Sequence, residues 1–373
     1  MNSKSTASDG AATAPARYIM LGGFLGAGKT TAVSRLAAHL TAQGLKVGLI
    51  TNDQGSELVD TAMLRSRGFA TEEIPGGCFC CRFNSLLDAA KKLTTATRPD
   101  VFLAEPVGSC TDLVATVTYP LRRIYGEQFT IAPLSVLVDP LRAQRVLGLA
   151  PGRAFSEKVL YIYRKQLEEA DFIVINKRDL LDADPLSKLG QHLRDEFPHA
   201  DILTVSAREG AGLEDWFGRL LAETQVAREV MDVDYEIYAE GEALLGWLNA
   251  TLDLEAGEAF DANRVIEQLA RDIQHRLNAQ GGEVAHLKMT FSPADGLGDL
   301  AVINLVRSDF VPELSQQLEQ PARAGQLIVN LRAEADPAQL RSAVETSAAR
   351  LESSFAGLSA RLDHLEQFRP GKP

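Results

Sequence analysis

From residue 17 onward, short apolar runs alternate with stretches in which apolar positions recur every three or four residues. The runs at 18–21, 46–51, 101–104, 134–138, 172–175 and 202–205 are mostly apolar throughout and lack in–out alternation. Such runs suit strands covered on both faces, as in a parallel sheet. Amphipathic stretches at 29–42, 84–97, 156–170 and 213–222 lie between them and read as crossover helices. The expected fold is therefore α/β, with a doubly wound, mostly parallel sheet whose ligands sit at the carboxyl ends of the strands.

The pattern changes after residue 222. A charged, strand-poor connector over 223–242 leads into an apolar stretch at 244–254, and a strongly amphipathic helix follows at 263–278. Strands are expected at 284–291 and 300–306, joined by a turn containing Pro293, Asp295 and Gly296. A further strand at 326–331 and a long helix at 338–355 complete a smaller C-terminal α+β domain of the ferredoxin-like kind. At 373 residues the chain exceeds what one core supports, which agrees with two domains. The expected division is a disordered tail at 1–16, a nucleotide-binding domain at 17–225 and a partner-docking domain at 235–373.

Composition narrows the function. A net charge of −12 with no basic block argues against a nucleic-acid partner. No apolar run reaches the ~18–20 residues that span a bilayer, so no membrane partner is expected. The tail has neither the apolar core of a secretory signal nor the arginines of a transit peptide, which implies a cytoplasmic protein. Four cysteines are too few for a disulfide framework in a chain of this length, yet three of them fall within four residues.

The first strand runs into Gly22-Gly23-Phe24-Leu25-Gly26-Ala27-Gly28-Lys29-Thr30-Thr31, and a helix starts at the lysine. This is the phosphate loop of the P-loop NTPase fold in its strand–loop–helix setting. Gly23, Gly26, Ala27 and Gly28 let the backbone N–H groups wrap a polyphosphate. Lys29 neutralises the β- and γ-phosphates at the helix start, Thr30 offers a hydroxyl to Mg²⁺, and Thr31 extends the cradle. The strand at 172–175 ends in Asn176-Lys177-Arg178-Asp179. In that place Asp179 can accept from guanine N1–H and N2–H₂ together, a pair of donors adenine lacks. Lys177 can cover the base, Asn176 can brace the adjacent loop, and Ser206-Ala207 fit the loop whose backbone N–H meets guanine O6. GTP is the expected nucleotide.

With these residues in place the chain resembles the CobW family of P-loop GTPases, relatives of the hydrogenase and urease nickel-insertion GTPases. Gly77-Cys78-Phe79-Cys80-Cys81 matches the family's G-C-x-C-C hallmark, with Glu73 upstream. Glu105 followed by Gly108 resembles its E-x-x-G element, and Asp60 matches a downstream aspartate. The chain departs from the family at Pro106 and Val107, and at Asn52-Asp53-Gln54-Gly55-Ser56, and it has no histidine-rich stretch. The resemblance is specific over 18–210 and only general beyond.

Soft thiolates select Zn²⁺, Cu(I) or iron–sulfur chemistry, with Co²⁺ also feasible, so Cys78, Cys80 and Cys81 are candidate metal ligands. Three sulfurs leave a tetrahedral position open, which suits an ion that must be released. Buried structural cysteines and a thiol–disulfide pair are the alternatives. Cys110 is read as a packing residue, with a fourth ligand as the alternative, while His286, Trp216 and Trp247 are read as core or surface residues.

The resemblance implies a GTP-hydrolysing metallochaperone. Its catalytic set would be Lys29, Thr30, Asp53 and Glu105, with Mg²⁺ held by Thr30 together with Asp53 or Glu105. The cargo would be a transition metal, zinc first, delivered to an unidentified client metalloprotein; a nucleotide-dependent homodimer is a further partner state to consider. The competing readings are a GTP-state-dependent activator that docks to a metalloenzyme or cobalamin-related enzyme without transferring metal, and a P-loop kinase. The C-terminal part is expected to be dispensable for GTP binding.

Overall fold

The computed structural model describes residues 15–53, 69–75, 79, 83–152, 154–226, 231–296 and 299–370. Two sheets organise them. The first holds β1 Ala16–Gly23, β2 Val47–Asp53, β3 Ala70–Pro75, β4 Val101–Glu105, β6 Ser135–Val138, β7 Phe172–Ile175 and β8 Asp201–Thr204. Its order is β3-β2-β4-β1-β6-β7-β8, with the short β5 Phe129–Ile131 beside β1. Every pairing in it is parallel. The chain builds one wing outward from β1 and then returns to build the other, so β1 lies at the reversal. Helices α1 Lys29–Ala42, α2 Phe83–Ala96, α3 Tyr119–Tyr125, α4 Pro140–Val146, α5 Glu157–Glu169, α6 Ala183–Glu196 and α7 Leu213–Ala222 connect the strands. A π-helical turn, Val114–Thr118, precedes α3. β1, β4, β6 and β7 are buried almost throughout, which explains their unbroken apolar runs.

The charged, strand-poor connector expected over 223–242 leads into helix α8, Tyr235–Leu244. Asp234 caps it by accepting from the Glu236 and Ile237 amides. Its buried face is small or polar apart from Tyr238, so no apolar stripe announces it. Gly241 is needed where α8 crosses α5, since a Cβ there would meet the Lys158 carbonyl at 2.4 Å.

The second sheet is antiparallel, with order β12-β11-β10-β13-β9-β14. Its strands are β9 Leu245–Phe260, β10 Glu283–Pro293, β11 Ala301–Leu305, β12 Glu313–Gln316, β13 Ala322–Glu334 and β14 Leu358–Phe368. Helix α9 Ala262–Ala279 follows β9, and α10 Pro337–Ser354 follows β13. Without β11 and β12 the order is fourth-first-third-second, the ferredoxin-like arrangement, and the β11–β12 hairpin is an addition at one edge. Leu248, Ala250, Leu252 and Leu254 of β9 join Leu287, Met289 and Phe291 of β10 in one core with the apolar stripes of α9 and α10. Asp261 and Asp336 cap these helices. The alternate residues, including Trp247, Asn249, Lys288 and Asn330, fall on the sheet's other face.

That other face lies toward the first sheet, and a buried polar bridge joins the two. Arg142 of α4 donates to the Leu25 carbonyl at 3.2 Å, to the Ala285 carbonyl at 3.1 Å and to the Val306 carbonyl. Its guanidinium sits over the rings of Phe24 and Phe155. Asp139, which caps α4, accepts from Arg307 at 3.3 Å. Arg145 and Asp309 pair at the rim. Arg142→Met would leave three buried carbonyls without this donor. A loss of about 3 kcal/mol is expected in denaturant unfolding, the scale of breaking a buried charged contact. A loss under about 1 kcal/mol would mean that the bridge holds nothing together.

Candidate nucleotide and metal site

The phosphate loop follows β1 at the sheet's reversal point. Gly28 precedes α1 with φ +93°, and a Cβ there would meet the Asn176 amide nitrogen at 2.4 Å. That close approach is used, because Asn176 Nδ2 donates to the Ala27 carbonyl at 2.9 Å. Lys29 is buried along the loop and donates to the Gly23 carbonyl at 2.9 Å. Thr30 Oγ1 donates to Glu105 Oε1 at 2.8 Å, which joins the loop to the end of β4. A hydroxyl and a carboxylate in contact beside a phosphate loop form the oxygen donor set a magnesium ion prefers.

The Asn176–Asp179 tetrad follows β7. Lys177 adopts φ +54°, an uncommon left-handed backbone for a non-glycine residue. Its ammonium donates to the Gly26 carbonyl at 2.7 Å and to Asp139 Oδ2 at 3.0 Å. Asp179 accepts from Ser206 Oγ at 2.6 Å and from Arg208 at 3.1 Å. The Ala207 N–H donates to Asn176 Oδ1 at 2.9 Å. Ser206 and Ala207 thus position Asp179 and Asn176 in this structure. The phosphate loop, Asn176, Lys177, Asp179 and Glu105 all border one cavity of about 760 Å³.

Residues 17–204, just over half the chain, match the family described as CobW/HypB/UreG, nucleotide-binding domain. The chain belongs to that family. It is 32% identical over 166 residues to the zinc chaperone YeiR of Escherichia coli (strain K12), covering 44% of this chain and 47% of that protein. It is 30% identical over 192 residues to the zinc chaperone CobW of Sinorhizobium sp, covering 44% of this chain and 51% of that one. The chain spans about half the length of the curated relatives it matches. Among solved structures, HypB from Helicobacter pylori in complex with nickel aligns at 20% identity over 57% of this chain and 90% of that one, with a TM-score of 0.42.

The hallmark cysteines of this CobW/HypB/UreG protein, Cys78, Cys80 and Cys81, lie outside the described residues, as does Asp60. Asp53 closes β2, and only its backbone is described. Phe79, between Cys78 and Cys80, is fully buried in the same apolar cluster as Phe24, Leu25 and Val107. Glu73 lies in β3, an edge strand that the sequence pattern did not reveal. Cys110 is buried in that cluster, as its reading as a packing residue expected. Among the described residues no three His, Cys, Asp or Glu side chains gather as a metal cluster.

Sequence reasoning missed Asp139 and Arg142, although Asp-Pro after an apolar strand is a helix-start signature that could have exposed the first. Burial works against the Asp139 carboxylate, but the Lys177 ammonium, the Arg142 amide and the Arg142 and Arg307 guanidiniums hold it below the usual carboxylate range. Reasoning also missed the cavity's far wall, where Trp247, His286, Lys288, Asn304 and Arg332 come from the second sheet. His286 and Trp247, read as packing or surface residues, both border the cavity.

The loop after Glu105 is pinned from outside the phosphate site. Gln166 donates to the Gly108 and Cys110 carbonyls at 3.0 and 2.8 Å, and Ser109 donates to Glu242 of α8 at 2.7 Å. Glu169 accepts from the Val114 amide at 3.2 Å and from Thr111 at 3.3 Å. Burial pushes its carboxyl up to about 8, and nearby Asp112 adds to this against those hydrogen bonds. A carboxyl raised on folding keeps its proton in the native state where the unfolded chain has lost it. Its contribution to stability is complete below about pH 4.5 and declines as pH rises to about 8. Glu169→Gln should flatten the stability profile across that window, by at most about 1.4 kcal/mol per pH unit. Parallel wild-type and variant profiles in urea unfolding would show that Glu169 is not protonated in the native state.

Proposed function

We propose that the chain is a GTP-hydrolysing metallochaperone that carries a transition metal, zinc first, on Cys78, Cys80 and Cys81 and passes it to a client protein. The observation that carries this reading is the burial of Phe79 in one apolar cluster with Phe24 and Leu25 of the phosphate loop and Val107 of the Glu105 loop. A cysteine loop anchored on that cluster is mechanically tied to whatever moves when the γ-phosphate is present or gone. The similarity to the zinc chaperones YeiR and CobW supports zinc over cobalt as cargo. Magnesium, held by Thr30 with Glu105, would neutralise phosphate charge when bound. Lys29 and the loop amides are placed to stabilise charge on the phosphoryl group, and Asp179 to select guanine.

The activator reading keeps one specific support. Ser109 on the Glu105 loop touches Glu242 of α8, so nucleotide state could reshape the C-terminal surface with no metal transfer. A kinase leaves Asn176, Asp179 and Ser206 without a role.

The two surviving readings part on metal affinity. In chelator-competition titrations, zinc affinity should differ by about 5–150-fold between Mg·GTP and Mg·GDP, the usual scale of coupling between sites. Changing Cys78, Cys80 and Cys81 to serine should remove both the binding and the difference. Equal affinities in the two nucleotide states would sink the chaperone reading and leave the activator. Equal binding of ATP and GTP would sink the guanine assignment.

A further inference from the structure

The nucleotide cavity has a wall that a phosphate-loop domain alone does not supply. Across the helix-free face of the second sheet, strand pairing sets one row of residues side by side. Glu313 pairs with Asn304, Asn304 with Lys288, Lys288 with Asn330, Asn330 with Asn249 and Asn249 with Glu366. The row is polar across all six strands. Its acids stand only at the two ends, where Glu313 pairs with Arg208 and Glu366 accepts from Asn249 at 2.8 Å. Its middle is a lysine between two amides.

On an open antiparallel sheet such a lysine would face water. Lys288 is only 6% exposed, and it borders the cavity together with Asn304 and Asn330. The neighbouring row carries a second buried cation, Arg332. It donates to the Leu248 and Leu331 carbonyls at 2.9 and 3.1 Å and lies over the Trp247 ring.

The distance to the phosphate loop follows from the pairing. Val306, just past β11, packs so tightly on Gly26 that a Cβ on the glycine would meet its Cβ at 3.0 Å. Lys288 lies one strand across from β11 and two residues along from the level of Val306. With strands about 4.8 Å apart and a rise of about 3.3 Å per residue, its Cα is on the order of 8 Å from that of Val306. Both side chains rise from the same face of the sheet, so the lysine head stands beside the loop on which Val306 presses.

We infer that Lys288, between Asn304 and Asn330, contacts the phosphate tail of the bound nucleotide, so that the second sheet is a wall of the nucleotide site. The inference rests on the nucleotide reading above and deepens it. A triphosphate carries one more negative charge than a diphosphate, so a cation facing the tail favours GTP over GDP. The wall therefore registers hydrolysis directly. On this inference the C-terminal part, expected from the sequence to be dispensable for GTP binding, contributes to it.

The test uses the full chain with Mg²⁺ and two probes, a non-hydrolysable GTP analogue and GDP, titrated against wild type, Lys288→Met, Lys288→Arg and Lys29→Ala. Lys288→Met should weaken the analogue by about 10- to 100-fold and GDP by less, which is the range of a hydrogen bond to a charged group. Lys288→Arg should recover most of the loss, and the melting temperature without nucleotide should hold in both. Unchanged affinities in Lys288→Met, with binding lost in Lys29→Ala, would overturn the inference and leave the nucleotide reading standing. Equal losses for both probes with a lowered melting temperature that arginine does not restore would make Lys288 a structural residue and also overturn it. Binding that survives Lys29→Ala would bring down the nucleotide reading itself, and this inference with it.

Discussion

A buried carboxylate and two buried guanidiniums join the back of the phosphate loop to the second sheet, and the way the two sheets meet depends on their staying paired. Asp139 caps α4, receives Lys177 from the Asn176–Asp179 tetrad and receives Arg307 from beyond β11. Arg142, three residues on, ties the Leu25 carbonyl to the Ala285 and Val306 carbonyls. Charges this deep are costly unless every partner is present, so removing one member costs several kcal/mol. The exposed pair between Arg208 and Glu313 contributes at most about 1 kcal/mol. The bridge is therefore what fixes one sheet against the other, and the rim contacts only follow it.

This constraint gives the nucleotide site two kinds of neighbour. On one side the Glu105 loop touches Thr30 and is held by Gln166 from α5 and Glu242 from α8. On the other, Val306 presses on Gly26 and sets the row that contains Lys288 at the cavity. A change at the γ-phosphate thus has two short routes outward. One runs through the Glu105 loop toward the cluster that buries Phe79, and the other through the second sheet. The family to which the chain belongs is defined over 17–204, while the second route lies almost wholly beyond it.

The first sheet was largely legible because its strands are buried on both faces and advertise themselves as apolar runs. The phosphate loop and the Asn176–Asp179 tetrad were legible for a related reason, since each is a short segment whose geometry dictates its own residues. Four strands escaped notice. β3, with Thr71, Glu72 and Glu73, is a polar edge, and β5 and β12 are only three and four residues long. β14 alternates at the other sheet's edge, with most of its residues half-buried or exposed. The far wall of the cavity escaped for a different reason. Lys288, His286 and Arg332 are ordinary polar positions of alternating strands, and only long-range pairing turns their shared face toward Gly26. The ferredoxin-like order itself was anticipated, and β11 was expected as the strand at 300–306, but β12 and the pairing that makes the two an added edge hairpin were not.

The central claim is that the two sheets form one nucleotide chamber rather than a binding domain with an appendage. Amide hydrogen exchange of the intact protein, with and without a saturating non-hydrolysable GTP analogue, addresses it most directly. The account predicts slower exchange in β10 and β13 and around Val306, alongside the phosphate loop and the Asn176–Asp179 tetrad. Protection confined to residues before 223, with β10 and β13 exchanging at the same rate in both states, would contradict it.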